Sequence, residues 1–94
     1  MTHIYLTYNA RLKATLIAKA IEKVLIANPG KRAYLSSTSG FNWKKEVKRR
    51  LLIDGNIDCS LWEEAYRILY TVRPAHFHFG KNSVIYTKPI DSYS

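Results

Sequence analysis

Residues 60–87 read S-L-W-E-E-A-Y-R-I-L-Y-T-V-R-P-A-H-F-H-F-G-K-N-S-V-I-Y-T. Two periodicities meet in this stretch. Leu61, Ala65, Ile68, Leu69 and Val72 recur at the three- and four-residue spacing of one helical face. Ser60-x-x-Glu63 has the form of a capping box, whose side chains satisfy free amides at a helix start. Pro74 stops the helix, because it lacks an N–H and clashes with the preceding turn. Beyond it Phe77 and Phe79 alternate with His76 and His78, Gly80-Lys81-Asn82-Ser83 supplies turn chemistry, and residues 84–87 form a return strand. A helix running into a hairpin makes the chain α+β.

Reading outward towards the N-terminus, the spacing predicts a second helix over residues 43–53. Trp43, Val47 and Leu51 share one face with Arg50 at its edge, and Asp54-Gly55-Asn56 ends it. Ser36-Ser37-Thr38-Ser39-Gly40 is a loop by composition, and residues 32–37 form a short strand. Residues 10–27 carry the most regular helical stripe: Leu16, Ile17, Ala20, Ile21, Val24 and Leu25, with Asn9 as N-cap and Asn28-Pro29-Gly30 as the stop. Ile4, Leu6 and Tyr8 alternate with Tyr5 and Thr7, which predicts a first strand over 3–8. The expected order is β-α-β-α-α-β-β, about four strands with three helices, in one domain over 1–94. If the first two strands share a sheet, a right-handed crossover joins them. The expected arrangement is a small sheet with the helices against one face. Residues 91–94 are expected to be a frayed tail.

The last two thirds, read as helix, short strand, helix, helix and hairpin, resemble a winged helix-turn-helix in element order. That resemblance implies residues 61–72 as a recognition helix and Gly80-Lys81-Asn82-Ser83 as the wing tip. The residues depart from that pattern: the helix opens with Glu63 and Glu64, which repel phosphate, and its own cations are only Arg67 and Arg73.

The charge distribution points elsewhere. Residues 31–50 hold Lys31, Arg32, Lys44, Lys45, Lys48, Arg49 and Arg50 against Glu46 alone. Seven cations less one acid give +6 of a net +8. Residues 51–66 hold Asp54, Asp58, Glu63 and Glu64 and no Lys or Arg. Such a basic block is an electrostatic footprint for nucleic acid, DNA or RNA. The expected binding residues are the five cations of 44–50, extended by Lys31 and Arg32, with the hydroxyl-rich loop before them offering donors to phosphate. The plain alternative is a solvated helix face. The step from basic to acidic also suits self-association as a homodimer.

Two other function classes fit parts of the sequence. One is a protein-interaction module or inhibitor for an acidic partner, with Trp62, Tyr66 and Tyr70 as a candidate contact ridge. The size and composition are those of small accessory or regulatory proteins such as viruses and plasmids carry. The other is a metal-independent ribonuclease using His76 and His78, expected on one strand face. With His3 on a neighbouring strand they would also suit zinc, although surface histidines are the simpler reading. No G-x-x-x-x-G-K-[ST] occurs, and no catalytic residue, metal or cofactor is assigned. Cys59 stands alone, which fits a reducing compartment and a packing role. Neither a leader nor a membrane span is visible, so a cytoplasmic protein with no membrane partner is expected.

Overall fold

A computed structural model of the chain describes residues 2–36 and 41–89, with side chains from Asn9 onward. Six elements follow in order: α1 (Thr2–Ile26), β1 (Arg32–Tyr34), α2 (Trp43–Arg50), α3 (Cys59–Val72), β2 (Phe77–Gly80) and β3 (Ser83–Tyr86). Three helices and a three-stranded antiparallel sheet of order β1-β3-β2 give the expected α+β class. The segment between α2 and α3, residues 51–58, is longer than the three- or four-residue turn usual in the helix-turn-helix motif that the sequence resembles in element order.

Residues 3–8 are helical, not a strand, so the described residues hold three strands and no parallel crossover. The reason is continuity. No Gly or Pro precedes Pro29. Once residues 14–25 pack as helix, each further residue adds a hydrogen bond at little cost. Asn9 therefore lies inside α1 and caps nothing. At the other end the Asn28 side chain donates to the Val24 carbonyl, and Gly30 takes φ +81°. Its amide then donates to the Tyr86 carbonyl at 2.8 Å, which ties the end of α1 to β3.

The core lies between α1, α2, α3 and the inner face of the sheet. Ile17, Ile21, Val24 and Leu25 of α1 meet Val47 of α2, Ala65 and Leu69 of α3, and Ala33, Phe77 and Val84 of the strands. Trp43 and Trp62 meet edge to face within it, ring centres 5.1 Å apart. Leu16, expected in this stripe, is 58 % exposed. The helix expected over 43–53 stops at Arg50, and Leu16 lines a groove with Leu51 and Ile53 beyond that end. The stop is a Schellman turn: Ile53 N–H donates to the Lys48 carbonyl and Leu52 N–H to that of Arg49, with Leu52 left-handed at φ +57°. The start of α3 is also displaced. Asp58, not Ser60, is the N-cap, and the Ser60 hydroxyl donates to the Asp58 carboxylate.

Register places side chains on two sheet faces. Arg32 pairs with Ile85, Ala33 with Val84 and Tyr34 with Ser83; Phe77 pairs with Tyr86, His78 with Ile85 and Phe79 with Val84. Ala33, Phe77 and Val84 face the helices, whereas Arg32, Tyr34 and His78 lie on the opposite face.

Candidate nucleic-acid interface

α2 is held by its ends and by one apolar face. The Asn42 side chain accepts from the Lys45 amide at 3.4 Å, and Trp43 and Val47 are buried. That anchoring sends Lys44 and Lys48 to one flank, and Lys45 and Arg49 away from the core. Lys44, Lys45 and Lys48 line one cleft, whose other wall is Asn56, Asp58 and Trp62 at the start of α3. Three of the seven cations expected to bind are thus brought together.

Lys44 differs from its neighbours. It is half-buried, and its ammonium donates to the Leu35 carbonyl. It also lies 5.6 Å from the Trp43 ring centre and 5.5 Å from that of Trp62. These contacts occupy its charge inside the protein. Lys45 is exposed, and neither it nor Lys48 forms an ion pair among the described residues. Arg49 sits 3.7 Å from Glu46, and both groups are open to solvent, so the pair contributes little. Arg50 is exposed at the end of the helix.

The other two expected cations stand apart from this cleft. Arg32 lies on the outer sheet face, where its guanidinium donates to the Ser83 hydroxyl at 3.0 Å. Lys31 sits 5.6 Å from the Phe41 ring centre. Ser36 is exposed, and the rest of the hydroxyl-rich loop, residues 37–40, lies outside the described residues.

The cleft continues along α3. Lys44, Cys59 and Trp62 pass it on to a section lined by Leu35, Glu63 and Asn82, and that section opens into a groove lined by Tyr66, Arg67 and Tyr70. Three adjoining clefts thus reach from the α2 cations to Asn82 of the hairpin turn. Acids line them too: Asp58 at the α2 end and Glu63 midway. Arg67 is bonded to Glu64 at 2.7 Å. Asn82 was read in the sequence only as turn chemistry. The winged element order was the signal that could have placed it beside α3.

The aromatic ridge divides. Trp62 is core. The Tyr66 hydroxyl donates to the Gly80 carbonyl at 2.7 Å, with the Ser83 carbonyl oxygen 3.3 Å away, so Tyr66 ties α3 to the hairpin. Tyr70 alone of the three is exposed; it packs on Phe79 with the Arg73 guanidinium 4.5 Å from its ring centre.

The histidines do not form the expected pair. His76 precedes β2 in a turn at φ +69°, while His78 lies in the strand with Nε2 2.9 Å from the Thr87 hydroxyl. His3 belongs to α1, not to a neighbouring strand. Among the described residues no group of three or more His, Cys, Asp or Glu side chains is placed to hold a metal ion. Cys59 is exposed in the first turn of α3, not packed as expected. No helix among those residues is long and apolar enough to cross a membrane. Compared with known proteins, the chain matches no family model, no curated protein and no solved structure.

Proposed function

We propose that the protein binds nucleic acid through the phosphate backbone, with Lys45 and Lys48 of α2 as the leading contacts. The observation that carries this reading is the convergence of three α2 cations on one wall of a cleft beside α3. Lys45 and Lys48 keep their charge available along that wall. Arg49 and Arg50 add to the local potential from the outer side of the helix. Lys44 shapes the wall and contributes through its field, since its ammonium is already engaged.

The acids set the orientation. Asp58 and Glu63 disfavour phosphate along the α3 side, so the backbone follows α2. Lys31 and Arg32 lie outside this path and contribute only long-range attraction. The binding is electrostatic at its base, and each phosphate contact releases counterions.

The test is a salt titration against a labelled duplex and a labelled single strand, with wild type and Lys45→Glu/Lys48→Glu compared. Two phosphate contacts predict that the log–log salt slope becomes shallower by about 1.8 in the double variant. Affinity at low salt should fall by about tenfold or more. Absence of wild-type binding at low salt refutes nucleic-acid binding. Equal affinity of the two proteins refutes the assignment to α2.

A further inference from the structure

We propose that a second copy of this chain docks on the groove between α1 and the α2–α3 connection, with Leu52 of each copy seated in the groove of the other. The groove encloses about 460 Å³. Its floor is apolar: Leu16 and Ile17 of α1, Leu51, Ile53 and Ile57 of the connection, and Leu61 of α3. Leu16 is 58 % exposed there, and Leu12, one turn earlier on α1, is 49 % exposed.

Leu52 makes this face more than an uncovered patch. It stands between two floor residues and is 91 % exposed. It occupies the left-handed position of the Schellman turn, which ordinarily takes glycine. A leucine there meets two local penalties, backbone strain and an apolar side chain in water. The fold gains nothing from it, and a projecting anchor is the role that would justify both penalties. Leu52 adjoins the groove in the chain, flanked by Leu51 and Ile53 of its floor, and a two-fold interface needs each copy to offer what the other receives.

The charge pattern favours a second copy as the occupant. The chain carries +8 overall, so two copies repel wherever their cations face each other. The lining of this groove instead balances one cation with one acid. Lys13 and Asp58 stand among the groove's lining residues. Under two-fold symmetry Lys13 of one copy meets Asp58 of the other, and the contact is made twice. Asp58 lines both this groove and the α2 cleft, and the proposal otherwise rests on residues that the nucleic-acid reading does not use.

The experiment is sedimentation equilibrium of the full chain, freed of nucleic acid, from micromolar to sub-millimolar concentration. The wild type should be a dimer in exchange with monomer. Leu52→Gly removes the knob and relaxes the turn, so it should stay folded while the dissociation constant rises about tenfold or more. Leu16→Lys closes the groove with a charge and should have the same effect. Circular dichroism confirms that each variant is folded. Lys13→Glu should weaken the dimer, and its loss should be smaller at high salt. A wild type that is monomeric throughout the range overturns the proposal, as do Leu52→Gly and Leu16→Lys proteins that both dimerise like wild type.

Discussion

Lys44→Ala tests whether the basic block is one surface or two functions. If Lys44 were a free cation like Lys45, removing it would relieve repulsion from Lys45 and Lys48, and stability would hold or rise. Its contacts predict the opposite. The ammonium bond to the Leu35 carbonyl is of the charged kind, worth about 1.5–3 kcal/mol. The two indole contacts at 5.6 and 5.5 Å each contribute about 0.5–1 kcal/mol. These contributions share one group and do not add in full, and desolvating the ammonium offsets part of them. The expected net loss is about 2 kcal/mol, or a drop in Tm of about 10 °C for a chain of this size. Lys45→Ala, on the exposed side of the same helix, should stay within about 0.5 kcal/mol of wild type. Thermal and urea melts followed by circular dichroism measure both. Half-buried contacts are weakly screened, so the Lys44→Ala loss should persist at high salt. If Lys44→Ala is no more destabilising than Lys45→Ala, the reasoning fails.

Other substitutions probe separate joints of the fold. Tyr66→Phe removes the hydroxyl held by the Gly80 carbonyl and should cost about 1 kcal/mol, with faster amide exchange in β2 and β3 but not in the centre of α1. Gly80→Ala would bring a Cβ to 2.7 Å from the buried Ser83 hydroxyl and 3.1 Å from the Arg32 guanidinium. Displacing that pair should cost about 1–3 kcal/mol in a urea melt. Leu52→Gly, measured where the chain is monomeric, should raise stability by about 0.5–1 kcal/mol, the relief of left-handed strain less the greater freedom of glycine when unfolded.

The parts of the fold written in short-range chemistry were legible in the sequence. Pro74 closes α3, whose C-cap is Arg73, and the expected hairpin forms, with its return strand one residue earlier than read, at Ser83–Tyr86. Asn28-Pro29-Gly30 ends α1. The errors have physical causes. Residues 3–8 alternate like a strand, but six residues of alternation also fit a helix, and an adjoining packed helix settles the matter. α2 ends in a glycine-type turn that holds a leucine, so no residue type announced the stop. The candidate site was half legible. Charge counting pointed to α2, yet it could not distinguish Lys44 from Lys48, because that difference depends on a carbonyl just after β1 and an indole of α3. It likewise grouped Arg32 with α2, whereas strand register turns Arg32 to the opposite side of the sheet.

The Tyr66 hydroxyl bond spans 14 residues of chain to reach the hairpin. A hairpin of four-residue strands is marginal alone, and its tip would sample many positions relative to α3. With the tether in place, the two walls of the groove arrive at a ligand already set at one spacing. Ordering them on association then costs little entropy, and more of each contact formed appears as affinity. Together with the pairing of β3 to β1, one phenol oxygen thus helps fix the width of the groove before anything enters it.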